Sequence, residues 1–112
     1  MDKEITSKLL AEFVGSCFLV MIVVGSGIMA ENLSSNELNV LLANTIATGA
    51  GLTALILIFI AISGAHFNPA VTLARGFSNT FTGIDPNYIL PFICAQLLGA
   101  YISLKVMNFL QE

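Results

Sequence analysis

The chain has 112 residues, of which 56% are apolar and only 10% charged, and its mean hydropathy is +0.89. Soluble domains carry roughly 25% charged residues, so this composition indicates an integral membrane protein. The net charge of −3 excludes the basic surface of a nucleic-acid-binding protein. Cys17 and Cys94 lie in apolar segments, and their spacing is not that of a metal site. We therefore expect both cysteines to be small core or lipid-facing residues rather than metal ligands or a disulfide.

The first predicted transmembrane span covers residues 9–30, which contain one charged residue, Glu12. These 22 residues are enough to cross a hydrocarbon core of roughly 30 Å. A cleaved signal peptide would have a shorter apolar region of about 7–15 residues and a small-residue cleavage site, so we expect a retained span. An acid within a span is a functional candidate by default; the alternative is a solvated carboxylate at the membrane interface.

The second predicted span, residues 40–62, follows a polar loop at residues 31–39. The chain carries no charge from residue 38 to residue 74, and a straight helix of that length would extend about 55 Å. That is nearly twice the hydrocarbon core, so the chain must fold back within the membrane. A proline-kinked core helix is the alternative, but it leaves the length of this run unexplained.

The stretch SGAHFNPAVTLAR, residues 63–75, contains the signals for this reversal. Ser63 and Gly64 break the second span, and Asn68 followed by Pro69 is typical of a helix N-cap with proline at the first helical position. A re-entrant loop and half-helix are therefore predicted over residues 63–79.

The third predicted span, residues 88–109, follows a polar segment with the turn signal Asp85-Pro86. Together the segments predict an all-α membrane protein with three transmembrane helices and one re-entrant half-helix. A single histidine, no nucleophile–base pair and no metal-ligand cluster argue against an enzyme, a metal site or a cofactor.

A helix that begins inside the membrane presents unpaired N–H groups and a positive dipole end there, and the loop before it presents free carbonyl groups. Lipid satisfies neither set, so irregular backbone at this depth is tolerated only within protein or along a water-filled path. Acceptors in a row, an asparagine amide and a field that repels cations suit the passage of water or small neutral solutes.

Three motifs resemble the aquaporin family (major intrinsic proteins): SGAHFNPAVTLA, AEF-x-G at the start of the first span, and AQLLGA in the third. The resemblance covers residues 1–112 but only one repeat, whereas family members normally fuse two repeats of opposite topology. The part after the first motif is more similar to the second repeat of bacterial members.

The resemblance implies that Asn68 donates its amide to the solute, that Pro69 and Ala70 start and pack the half-helix, and that Glu12 supports the loop. His66 is expected to pack the loop, with pH sensing as an alternative, rather than to bind metal. The implied pore-lining residues are Asn68, Gly64, Ala65, His66, Phe67, Thr48, Ile56 and Val71.

Family pores are usually narrowest at an arginine directly after the second such motif, where this sequence has Val71. Together with Thr48 and Ile56 it would form a wide, weakly polar ring, which favours glycerol-like solutes or metalloid acids beside water. Arg75, on the same half-helix face as Asn68, either rims the pore mouth or extends to lipid headgroups.

One repeat provides half a wall, so the resemblance implies an antiparallel homodimer, and by analogy four such dimers (eight chains), in a bacterial-type inner (plasma) membrane. The difference in Lys and Arg content between the two membrane faces, which sets the orientation of a membrane protein, is weak here: Lys3, Lys8 and Arg75 lie on one side and Lys105 on the other. The alternatives are a half-channel subunit with a different partner half, a non-conducting assembly module, and an engineered single repeat. The expected partners are the lipid bilayer, water and small neutral solutes, and no nucleic acid.

Overall fold

The computed structural model describes residues 3–111, and within this range every regular element is helical. The elements are α1 (Lys3–Leu33), α2 (Glu37–Ser63), α3 (Pro69–Gly76), a 3-10 turn (Pro86–Tyr88) and α4 (Ile89–Leu110). Helices α1 and α2, and the 3-10 turn with α4, are long and apolar enough to cross a membrane. The predicted fold class, an all-α membrane protein with three spanning helices and a short fourth helix between them, is confirmed.

The long helices extend beyond the spans expected from hydropathy, so the connection between α1 and α2 is only residues 34–36. Asn36 caps α2, its side-chain oxygen accepting hydrogen bonds from the backbone nitrogens of Leu38 (2.9 Å) and Asn39 (3.3 Å). Such a cap satisfies N–H groups that a helix start leaves unpaired. The polar residues of this segment therefore make a tight helical hairpin rather than an open loop.

Helix α3 is shorter than the half-helix predicted from the sequence, because it ends at Gly76 instead of continuing to Asn79. The chain then curls back on the helix end: the backbone nitrogens of Ser78 (3.2 Å) and Ile84 (3.3 Å) both donate to the carbonyl oxygen of Arg75. This closure satisfies a carbonyl that a helix end would otherwise leave unpaired.

Helix α1 lies between α2 and α4 and packs against both, and α3 packs against α4. The interior is unusually polar: the largest side chains exposed by less than 2% are Phe92, Gln96, Glu12, Thr72 and Ser103. Large apolar side chains are outside instead, as with Leu57, which is 74% exposed. Apolar exteriors suit lipid, and the buried polar groups must then find partners within the protein.

Candidate functional site: a re-entrant loop held by a buried glutamate

Glu12 in α1 is completely buried and accepts four hydrogen bonds. Its Oε2 accepts from the Ser63 hydroxyl (2.6 Å) and from the backbone nitrogen of His66 (3.1 Å). Its Oε1 accepts from the backbone nitrogen of Phe67 (2.8 Å) and from Nε2 of Gln96 (2.7 Å). Because a buried carboxylate is tolerated only when its oxygens are paired, this cluster compensates its desolvation. It also joins α1, the loop and α4.

Side-chain hydrogen bonds around Gln96 link Glu12 to Thr72 and, through Thr72, to His66. Nε2 of Gln96 donates to Glu12 Oε1 and also to Thr72 Oγ1 at 2.8 Å, which uses both amide hydrogens. Thr72 thus accepts from Gln96, and its Oγ1 lies 2.9 Å from Nδ1 of His66, where the tautomer of the imidazole decides which group donates. When the Thr72 hydroxyl donates to Nδ1, neutral His66 carries its proton on Nε2.

Backbone conformation in the loop between α2 and α3 is strained. Gly64 (φ 88°), Ala65 (φ 53°) and Phe67 (φ 56°) all lie in the left-handed region. A residue other than glycine held there costs on the order of 1–3 kcal/mol, and such strain persists only where the surroundings impose it. Here the strained conformation is held by the hydrogen bonds that the backbone nitrogens of His66 and Phe67 donate to Glu12.

The strained conformation separates the loop's donors from its acceptors. The N–H groups of His66 and Phe67 face Glu12, whereas the carbonyl oxygens of Ala65 and His66 accept no hydrogen bond from residues 3–111. Unpaired backbone acceptors are rare in folded proteins unless water or a ligand reaches them. These two carbonyl oxygens are therefore acceptors that the described chain leaves unused.

The Phe67 side chain anchors the loop from the apolar side. Its ring meets Phe59 edge-on, with centroids 5.9 Å apart and an interplanar angle of 86°, and it clusters with Leu55 and Ala65. A Cβ atom on Gly15 would overlap this ring, so only glycine at that position of α1 lets the ring pack there. This contact gives the glycine of the AEF-x-G motif a packing role.

Asn68 starts α3 and faces outward. Its Oδ1 accepts a hydrogen bond from the backbone nitrogen of Ala70 at 2.8 Å, and Pro69 occupies the first helical position. The residue is exposed, and its amide nitrogen has no partner in the described part of the chain. One side chain thus caps the helix with its oxygen and presents a free donor next to the loop carbonyls.

The three residues expected to form the narrowest ring do not all meet within one copy of the chain. Ile56 packs against the cluster around Phe67, beside the loop, and half-buried Val71 lies on α3. Thr48 lies two turns earlier in α2, about 12 Å along the helix axis. Its hydroxyl is 3.4 Å from Oδ1 of Asn44, which also accepts from Ser26 at 2.8 Å.

The side chain of Arg75 turns toward the loop. Its Nη1 donates to the carbonyl oxygen of Gly64 at 3.0 Å, and the residue is only half-buried. This contact ties Arg75 to the loop, and its two expected roles, at a pore mouth or toward lipid headgroups, stay predictions.

Three polar partners of the site were not assigned a role from the sequence: Gln96, Thr72 and Ser63. Gln96 carried a signal, an amide within an apolar span, but nothing in the sequence indicated its partner. Thr72 carried no signal of its own, and Ser63 was predicted only to end the second span. Their roles depend on contacts that join four helices: Ser63 and Gln96 donate to Glu12, and Gln96 also donates to Thr72.

Membrane-length helices, a strained re-entrant loop and a buried carboxylate that holds it define an integral membrane protein with a half-helix site. The family model described as major intrinsic protein matches residues 2–112, and the chain belongs to this family. The resemblance drawn from the motifs is therefore confirmed. The family comprises membrane channels rather than enzymes, in agreement with the expectation from the sequence.

Curated relatives cover nearly all of this chain, but the chain covers less than half of them. It is 45% identical over 97 residues to the aquaglyceroporin AqpS of Rhizobium meliloti, spanning 87% of this chain and 40% of that protein. It is 31% identical over 103 residues to the glycerol uptake facilitator protein of Haemophilus influenzae, spanning 92% and 37% respectively. With the aquaporin AqpM of Methanothermobacter thermautotrophicus the identity is 34%, spanning 87% and 44%. No solved structure gave a significant match.

Proposed function

We propose that the chain forms a passive membrane channel for water and small uncharged solutes. The observation that carries this proposal is the division of polar groups at the loop. Glu12 takes the N–H groups of His66 and Phe67, and the carbonyl oxygens of Ala65 and His66 stay unpaired near the outward amide of Asn68. Acceptors followed by a donor match a molecule that both donates and accepts hydrogen bonds, as water and hydroxylated solutes do.

The electrostatics of this segment favour neutral solutes. The N-terminus of α3 carries a positive dipole end that opposes cations, including protons. The row of carbonyl oxygens opposes anions. A solute that passes both must carry no net charge and must exchange hydrogen bonds along the way.

The side chains proposed to form the narrowest part favour a wide ring. Thr48, Ile56 and Val71 are small or apolar, and Val71 directly follows the Asn-Pro-Ala motif. Two relatives have names that refer to glycerol transport, an aquaglyceroporin and a glycerol uptake facilitator. We therefore propose that polyols or undissociated metalloid acids pass beside water.

We propose that a second, inverted copy of the chain completes the pore. Asn68 and Ala70 are exposed, and Leu73 is 44% exposed, so one face of the half-helix has no covering element among residues 3–111. Lipid cannot satisfy the polar groups of this face. A two-fold axis in the membrane plane would bring the two α3 N-termini together. Four such dimers in a bacterial plasma membrane are the proposed assembly and location, by analogy with the family and with relatives from Rhizobium meliloti and Haemophilus influenzae.

Stopped-flow light scattering on proteoliposomes that contain only this chain tests the channel. We expect osmotic shrinkage well above that of empty liposomes, followed by re-swelling when the osmolyte is glycerol. Shrinkage equal to that of empty liposomes, from protein shown to be folded and inserted, would rule out a channel formed by this chain alone. It would direct attention to a different partner half.

Cysteine cross-linking tests the inverted arrangement separately from conduction. In a background with Cys17 and Cys94 replaced by alanine, Ala70→Cys should form a disulfide-linked dimer, because the two half-helix starts meet. Phe81→Cys is the matched control: Phe81 is 98% exposed in the loop after α3, and two inverted copies would hold it on opposite membrane faces. Cross-linking through position 81 but not position 70 would contradict the inverted pair.

A further inference from the structure

A cleft of about 590 Å³ lies where the start of α1, the end of α2 and the loop after α3 converge. Its polar wall contains Glu4, Lys8, His66 and Arg75, and its remaining wall is mostly apolar. Two of these side chains, Lys8 and Arg75, are cationic.

Arg75 is the unneutralised charge of this cleft. Lys8 pairs with Glu4, with Nζ 3.1 Å from Oε1. Arg75 donates one N–H to the carbonyl of Gly64, and within residues 3–111 no carboxylate lies at ion-pair distance from its guanidinium. A half-buried cation at the edge of a membrane protein is costly unless an anion or water compensates it. The cleft therefore favours a negatively charged ligand.

His66 brings a second polar group to the same place. Its Nε2, which bears the proton in the tautomer in which Thr72 donates to Nδ1, is buried and has no partner in the described chain, and the residue is only 5% exposed. A Cβ on Gly64 would lie 3.3 Å from this nitrogen and 3.2 Å from Nη1 of Arg75. The missing side chain of Gly64 leaves open the position that both donors border.

We propose that this cleft binds a phosphate group between Arg75 and His66, with Lys8 at the rim. The guanidinium fork matches two oxygens of an oxyanion. The imidazole nitrogen borders the same position, and Lys8 lines the same cleft, so the donors outnumber the oxygens of a planar carboxylate and suit a tetrahedral phosphate better. The group can belong to free inorganic phosphate or to a lipid headgroup. The proposal concerns binding and does not depend on conduction.

Calorimetric titration of the purified full chain in a maltoside detergent, which carries no phosphate, tests the proposal. The two probes are inorganic phosphate and dihexanoyl phosphatidylglycerol below its micelle concentration. We expect Arg75→Gln to weaken binding by at least about tenfold, since charge-assisted hydrogen bonds are roughly twice as strong as those between neutral groups. Tighter binding of inorganic phosphate would identify the free ion as the ligand, and tighter binding of the lipid analogue would identify a headgroup.

Lys105→Gln is the control for general charge loss, because Lys105 is exposed on α4, where its Nζ lies 5.5 Å from the Tyr101 ring centroid. Its affinity should equal that of the unmodified chain. Absence of binding for both probes, equal affinity in Arg75→Gln, or equal loss in Lys105→Gln would each overturn the proposal. If Arg75→Gln does not fold, Arg75→Lys decides instead: it keeps the charge but lacks the fork, and unchanged affinity would refute the site.

Discussion

The two sides of the re-entrant segment differ sharply in how their polar groups are satisfied. On the inner side, Glu12 and Gln96 take up the loop's N–H groups and Thr72 in buried hydrogen bonds. On the outer side, the amide nitrogen of Asn68 and the carbonyl oxygens of Ala65 and His66 have no partner in the described chain. Within the described chain, the backbone N–H groups of His66 and Phe67 are thus hydrogen-bonded, whereas the carbonyl oxygens of Ala65 and His66 are not.

This difference shows what each side is for. Leaving a buried polar group unpaired costs about 1–3 kcal/mol. On the inner side the backbone N–H groups of His66 and Phe67 are paired with Glu12, and this pairing goes with left-handed backbone at Ala65 and Phe67. The unpaired polar groups of the outer side are tolerated only if water, a solute or a second copy that completes the pore wall forms hydrogen bonds with them. Inner-side substitutions should therefore act on stability, and outer-side substitutions on transport.

The largest loss of stability is expected from Glu12→Gln. The amide that replaces the carboxylate cannot accept from every backbone donor of the loop, so at least one is left unpaired and the others bind a neutral acceptor. We expect the free energy of unfolding in SDS mixed micelles to fall by about 2–4 kcal/mol. Glu31→Gln, the same change at an exposed position of α1, should have almost no effect. Equal losses in both variants would contradict a supporting role for Glu12.

Gly15→Ala tests the apolar anchor of the same side. The added methyl group would overlap the ring of Phe67, and overpacking of this kind costs about 1–3 kcal/mol. Gly49→Ala is the matched control, because nothing lies within 4 Å of its added Cβ and alanine favours the helix. The same unfolding titration should separate the two. A Gly15→Ala variant as stable as Gly49→Ala would show that Phe67 is not fixed by α1.

Thr72→Val removes the hydroxyl between Gln96 and His66 while keeping the side-chain shape. It leaves an amide hydrogen and an imidazole nitrogen unpaired, with an expected loss of about 1–2 kcal/mol. Thr53→Val, whose hydroxyl bonds only to Gly49 of its own exposed helix, should change stability by less than about 0.5 kcal/mol. A loss of unfolding free energy no greater than that of Thr53→Val would show that the hydrogen bonds of the Thr72 hydroxyl with Gln96 and His66 add nothing to stability.

The smallest change in stability is expected from Asn68→Asp on the outer side. Aspartate caps a helix as well as asparagine does, so unfolding should shift by less than about 0.5 kcal/mol. Water permeability in proteoliposomes should nevertheless fall toward that of empty liposomes, because the carboxylate has no N–H to donate and adds a charge to the path. Unchanged permeability in this variant would remove Asn68 from the proposed pore.

The sequence indicated the features of this molecule that depend on local chemistry. The uncharged run from residue 38 to residue 74 required a reversal, and the start of α3 at Pro69 after the Asn68 cap lies where capping preferences predicted it. The positions at which loops and helices end were harder to predict from the sequence. The predicted half-helix continued to Asn79, whereas closure of the chain onto the Arg75 carbonyl ends it at Gly76.

By itself, the sequence determined the class of protein, the family and the three apolar helices, because hydropathy, length and capping act over a few neighbouring residues. Only the tertiary structure decided that Glu12 is buried, that Gln96 and Thr72 orient His66, and that Ala65 and Phe67 adopt left-handed backbone. Glu12 and Gln96 are 84 residues apart in the chain. Contacts over such separations depend on how three helices pack, and the strain they impose exists only once the helices have packed.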